Sequence, residues 1–185
     1  VKNINAYLID GKDIFIKSRV KAISNLPEIN FGSMANDGGN LLLSEDEKDA
    51  LLSSNPEAAP YIKKLVGALE FIRGINKFCI WIDDNELQNA LTIPPLAERV
   101  KKTQEVRLAS KRASTQILSE VSHKFAEIRY FPTDSIFIPS VSSEQREYIP
   151  MGFLGVDNII VAPNFAMYYA QPWHFAVVTS RMHMV

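Results

Sequence analysis

Near its start the chain carries two short apolar runs, Ala6-Tyr7-Leu8-Ile9 and Ile14-Phe15-Ile16, on either side of Asp10-Gly11-Lys12-Asp13. Asp-Gly between such runs predicts a β-hairpin. The stretch through Gly32, Asn36, Asp37, Gly38 and Gly39 predicts turns rather than a regular element. Ser44-Glu45-Asp46-Glu47 fits the S-x-x-E capping box, in which cap hydroxyl and glutamate each satisfy a free backbone N–H, so a helix is expected from there to about Leu52. Asn55-Pro56 predicts a second helix start, continuing past Pro60 toward Val66. A strand is expected at 77–82, ending at Asp83-Asp84, and a short helix through Leu87 and Leu91 stops before Pro94-Pro95.

The longest predicted helix follows those prolines and runs to about Val121, with Val106, Ala113, Ile117 and Val121 near helical spacing as its buried stripe. Lys101 and Arg112 project from roughly the opposite side, and Arg107 lies by the apolar edge with its stem packed and its head reaching out. Beyond it, Ile136-Phe137-Ile138, Tyr148-Ile149 with Gly152-Phe153-Leu154, and Ile159-Ile160-Val161 are strand candidates. Gln171-Pro172 then opens a final helix through Phe175, Val178 and Met182. There is no internal repeat. The order predicts an α+β fold, with mixed or antiparallel sheet elements packed against helices, one of them long and central. A single domain is expected over 1–185, with 1–95 as an opening and helical part and 96–185 as the long helix plus a strand-rich part.

A composition of 46% hydrophobic and 22% charged residues is that of an ordinary globular protein. No apolar run approaches the roughly 20 residues that cross a bilayer, no leader is visible, and Cys79 is the only cysteine. A cytoplasmic protein without a membrane partner is therefore expected, with Cys79 as core packing. The closing Met182-His183-Met184-Val185, without a polar tail, is what a piece of a longer polypeptide would show. A net charge of −1 argues against holding nucleic acid by electrostatics alone, yet charge is segregated. Glu45, Asp46, Glu47, Asp49 and Glu57 are acidic, whereas 99–124 holds Arg99, Lys101, Lys102, Arg107, Lys111, Arg112 and Lys124 against Glu105 and Glu120. A solvated helix face and a phosphate-facing element both fit that run.

Catalytic motifs are missing from the residues. Gly38-Gly39 lacks G-x-G-x-x-G spacing, and neither a P-loop nor G-x-S-x-G occurs. His123, His174 and His183 have no ligands at metal-binding spacing, so neither a metal nor a catalytic residue is expected. Glu127 to Asp134 and Ser142 to Tyr148 instead collect Arg, Glu, Gln, Ser and Thr beside strand-like runs. Those side chains suit base edges and phosphates, and they equally suit polar surface loops with an internal Glu–Arg pair.

Four blocks then match one family in order: 31–44, Leu108-Ala109-Ser110-Lys111-Arg112, Ser142 through Leu154, and Ser180-Arg181-Met182-His183-Met184. They resemble the target-recognition region of MmeI-like type IIL restriction–modification enzymes. The resemblance implies a polypeptide that joins a nuclease and an adenine-N6 methyltransferase to this domain, which grips double-stranded DNA opposite the methyltransferase domain and selects the site whose adenine is flipped out. S-adenosylmethionine belongs to the methyltransferase domain, with its N-P-P-[FY] motif. Asn55-Pro56-Glu57 and Ile93-Pro94-Pro95-Leu96 do not match that motif, so this stretch is expected to bind no cofactor and neither to methylate nor to cut. Lys101, Lys111 and Arg112 are the phosphate candidates. Arg129, Thr133, Asp134, Ser143, Glu144 and Arg146 are candidates for base contact, with Asn164 and Tyr168 in reserve. Two alternatives compete: a piece of the S-adenosylmethionine-binding core, and a protein-interaction domain that docks through its acidic half.

Overall fold

The computed structural model describes residues 3–13, 15, 17–19 and 23–183, apart from the side chain of His183. In chain order come β1 (Ile29–Phe31), β2 (Leu42–Ser44), α1 (Glu45–Ser54), β3 (Ile62–Val66), α2 (Ala68–Arg73), β4 (Lys77–Ile80) and α3 (Leu87–Leu91). There follow α4 (Pro94–Leu108), α5 (Ala113–Ile117), β5 (Ser135–Ile138), β6 (Gly152–Leu154), β7 (Asn158–Ile160), β8 (Phe165–Tyr168) and α6 (Pro172–Val178). The α+β class is as predicted.

The strands form two four-stranded sheets, ordered β2-β4-β3-β7 and β1-β8-β5-β6. The first is mixed, because β3 pairs antiparallel with β4 and parallel with β7. The second is antiparallel throughout. Alternation along β5 and β8 sends Phe137, Ala166 and Tyr168 toward Val66 and Ile160 of the first sheet, and Ile136, Ile138 and Met167 toward Val178 of α6. The first sheet packs its other residues with Leu51 of α1, Ala90 of α3 and Leu96 of α4.

The two sheets are sewn together by the segment after β1. Gly32 N–H donates to the Asn164 carbonyl at 2.8 Å, Ser33 N–H to Ile160 at 2.8 Å, and Ala162 N–H to Ser33 at 3.0 Å. A Cβ at Gly32 would lie 2.5 Å from the backbone carbon of Val161, so only glycine permits this approach.

Local signals set several elements. Ser44 Oγ accepts the Glu47 N–H at 3.1 Å and Glu47 Oε2 accepts the Ser44 N–H at 2.9 Å, the predicted capping box. These bonds, with Arg99 at 2.7 Å, hold the Glu47 carboxyl below its usual pKa. Asp37 is buried in the turn that opens β2, accepting the N–H groups of Gly39 and Leu41.

Other expectations are corrected. Ala6–Ile9 forms no strand but a turn gathered by Asn5, whose Oδ1 accepts the N–H of Tyr7 and of Ile9, closed by an Ile4–Asp10 bridge. Ile14 and Ile16 of the expected second strand lie outside the described residues. The helix expected past Pro60 is a 3₁₀ turn, Pro56–Tyr61, and Ile62–Val66 is instead β3, held by strands on both sides. Tyr148 and Ile149 lie in a loop, and the final helix stops at Val178, where Thr179 Oγ1 donates back to the Phe175 carbonyl at 2.6 Å.

The largest correction concerns the long helix. α4 ends at Leu108, the chain breaks over 109–112, and α5 and a 3₁₀ turn (Leu118–Val121) follow. The expected apolar stripe is exposed: Val106 by 44%, Ile117 by 68% and Val121 by 36%, with Ala113 also outside. The inward positions of α4 are Leu96, Thr103 and Arg107. Arg107 is fully buried, head included, and not snorkelling. Its five N–H donors meet five carbonyls: Asn36 at 3.0 Å, Ala35 at 2.9 Å, Leu118 at 2.9 Å, Val121 at 3.1 Å and Lys124 at 2.7 Å. Burial lowers its pKa, and the nearby Asp37 charge opposes that shift.

Replacing Arg107 with Met would strand these carbonyls. Arg107→Met is expected to destabilise the chain by roughly 3 kcal/mol or more, and Arg107→Lys by a smaller amount, as a lower urea midpoint at unchanged slope.

Candidate nucleic-acid interface

The basic candidates fall on α4 and the break that follows it. Lys101 is exposed on α4, and Lys111 and Arg112 are exposed within the break. Ser110 shapes that break, accepting the Arg112 N–H on its Oγ at 3.2 Å and the Gln116 amide on its carbonyl at 2.8 Å. Among the described residues none of these three cations is in an ion pair, whereas Lys102 pairs with Glu98 at 2.7 Å and Arg99 with Glu47. The basic run thus divides: Arg99 and Arg107 bond to distant segments, Lys102 and Lys124 pair with Glu98 and Asp84, and Lys101, Lys111 and Arg112 face outward.

Strand register divides the candidates for base contact. β5 and β8 run antiparallel, with Ser135 opposite Tyr168 and Ile138 opposite Phe165. Thr133 and Asp134 therefore lie at one end of the sheet, and Asn164 at the other, with the loop that leaves Ile138 and returns at Gly152, about 10 Å away along the strands. That loop exposes Ser143, Glu144 and Arg146 and is tied to the 3₁₀ turn after α6 by Glu147–Arg181 at 3.1 Å. Asp134 borders an open cleft of about 440 Å³ with Phe153, Leu154, Gly155, Ala170, Gln171 and Pro172.

Two reserve candidates are interior. Asn164 is 4% exposed and its amide donates to the Val161 carbonyl at 3.0 Å. Tyr168 is 4% exposed, its ring against Phe131 and Tyr130, and burial pushes its phenol up to about 12. Tyr168 turns toward the first sheet, and Asn164, in the turn before β8, is held against the Val161 carbonyl. Arg129 is half-buried and pairs with Glu127.

The sequence pattern does not single out Phe31, Phe131 and Tyr169, which the fold leaves exposed. Phe31 packs on Phe165 at 4.6 Å, and Tyr169, at φ 58° and 60% exposed, lies 5.9 Å from Phe131. A lone exposed aromatic carries no spacing signal, so only the fold shows that Phe131 and Tyr169 lie together at one end of β8 and Phe31 at the other. Cys79 lies in the core as predicted, its thiol pushed up to about 12 by burial. His123 is buried against Asp84 at 2.9 Å, and His174 accepts the Gln171 N–H at 2.8 Å. Among the described residues no three His, Cys, Asp or Glu converge as metal ligands would, and no helix is long and apolar enough to cross a membrane.

The family model described as MmeI, target recognition domain, matches residues 10–185. The chain belongs to this family. DNA methyltransferase A of Bacillus subtilis (strain 168) is 39% identical over 184 residues, covering all of this chain and 21% of that protein. A solved chain of the type IIL restriction–modification enzyme MmeI, in complex with DNA, superposes with a TM-score of 0.84 at 35% identity. It covers 98% of this chain, which in turn covers 24% of it. The MmeI-type domain here thus spans about a fifth to a quarter of the length of these relatives. The family match displaces the reading of the chain as part of a cofactor-binding core.

Two outcomes test these placements. Lys111→Gln with Arg112→Gln should shift stability by less than about 0.5 kcal/mol in urea unfolding, because both side chains are solvated. The Cys79 thiol should resist alkylation in the folded chain and react only on unfolding, since the thiolate is the nucleophile.

Proposed function

We propose that this domain recognises double-stranded DNA by sequence within a longer restriction–modification polypeptide, presenting the site to an adenine-N6 methyltransferase domain of the same chain. The observation that carries the reading is the family match across nearly the whole chain, joined by the resolved likeness to MmeI in complex with DNA. S-adenosylmethionine and methyl transfer are then assigned to the methyltransferase domain, restriction to a separate nuclease, and the cytoplasm is the place of action.

The site supports a division of labour. Lys101, Lys111 and Arg112, outward and outside any ion pair among the described residues, suit phosphates, which attract charge and carry no sequence. Arg129, Thr133, Asp134, Ser143, Glu144 and Arg146, in loops at the two ends of the second sheet, suit base edges. With a net charge of −1, this domain supplies little non-specific attraction, which leaves part of the grip to the rest of the polypeptide.

The full-length polypeptide carrying Lys111→Gln and Arg112→Gln should bind every duplex more weakly, with the slope of log affinity against log salt reduced by roughly 1.8, or about 0.9 per lost phosphate contact. Fluorescence anisotropy across a salt series measures it. Unchanged affinity and slope would remove both residues from the phosphate set.

A further inference from the structure

Arg129 is fixed more tightly than a surface arginine needs to be. Its guanidinium is paired with the Glu127 carboxylate, donates from Nη1 to the Gly32 carbonyl at 3.3 Å, and lies 5.9 Å from the centre of the Phe31 ring. Its backbone N–H donates to Ser33 Oγ at 3.0 Å, and Ser33 is fully buried. The platform beneath is closely packed and hydrogen-bonded. Gly32 is pressed against the 160–162 backbone, Phe31 packs on Phe165, and Met34 and Glu127 exchange backbone hydrogen bonds at 2.9 and 3.0 Å.

This geometry does not suit a phosphate contact. A phosphate rewards net positive charge from any direction, and Glu127 cancels the charge of Arg129. An exposed ion pair also adds little stability, so this pair is not one that folding depends on. A base edge makes the opposite demand: the N7 and O6 of guanine take two parallel N–H groups from a planar fork, where orientation matters more than charge. Of the five N–H groups of Arg129, Glu127 and Gly32 account for two, leaving three without a partner among the described residues on a side chain 38% exposed.

The geometry points to Glu127 as a positioning residue, acting with Phe31 and the Gly32 carbonyl to present Arg129 to the major-groove edge of a guanine. The inference rests on the DNA-recognition reading above and names the base class that this part of the domain selects.

The test uses the full-length polypeptide and duplexes containing its methylation site, with each base pair changed in turn. Arg129→Gln should lower discrimination at one G·C pair by about five- to a hundred-fold while leaving the other positions unaffected. Glu127→Gln should lower discrimination at that same pair by several-fold, yet bind unrelated duplex as tightly or more tightly, because a negative charge has left a surface facing a polyanion. Glu127→Asp keeps the charge and should retain part of the preference. Discrimination unchanged in Glu127→Gln overturns the inference, as does an equal loss on every sequence in Arg129→Gln, which is the mark of a phosphate contact. Loss of affinity for all duplexes together with a lowered unfolding midpoint in Glu127→Gln would make the residue structural and overturn it too. A wild-type polypeptide that binds no duplex by sequence would instead overturn the underlying DNA-recognition reading.

Discussion

One arginine organises the centre of this domain. The buried Arg107 guanidinium directs all five of its donors to backbone carbonyls, drawn from the loop at 35–36, the turn at 118–121 and Lys124. Among the described residues no carboxylate pairs with it directly. The compensation for taking a cation out of water comes from charge-assisted bonds to carbonyl dipoles, several of them at the closing end of a helical turn where the backbone carries partial negative charge. Such a hub forms only when all three segments are present, so it couples parts of the chain that local propensity leaves independent.

The consequences run outward in both directions. Beyond Asn36, the Asp37 turn delivers the chain to β2 and the α1 capping box. Before Ala35 and after Lys124, the two strands of chain continue side by side: Ala126 N–H donates to Ala35, and Met34 bridges Glu127. That short ladder ends at Ser33 and Arg129, where the first sheet, the second sheet and the candidate base-reading surface meet. The arrangement places a braced polar group on hydrogen-bonded backbone, which favours the preorganisation that a recognition site needs.

What could be read locally and what could not follow one rule. The α1 capping box, the strand at 77–80, the helix ending before Pro94 and the strand at 135–138 were legible, because each signal lies within a few residues. β3 was read as helix because Pro60-Tyr61 gave no stop signal, while its pairing with β4 and β7 comes from residues up to about a hundred positions away. The long helix was overextended for a similar reason: its inward positions hold Thr103 and Arg107, and hydrophobic periodicity selected the exposed Val106 and Ile117 instead. Of the site candidates, Lys111 and Arg112 are outward as expected, whereas Tyr168 takes the face of β8 that packs on the first sheet and Asn164 is buried in the turn before that strand.

The sequence by itself determined the α+β class, the family, the lack of a catalytic motif in this stretch and the types of side chain available to meet DNA. These depend on composition, short spacings and ordered blocks, which survive without coordinates. Tertiary structure alone decided which of the described cations are paired and which face outward without an ion pair among the described residues, how the base-contact candidates divide between two sheet ends, and that Glu127 and Phe31 contact Arg129. An arginine reads the same in sequence whether it binds five carbonyls, one carboxylate or nothing. Its role is set by the partners that distant segments bring to it, and those contacts exist only in the folded chain.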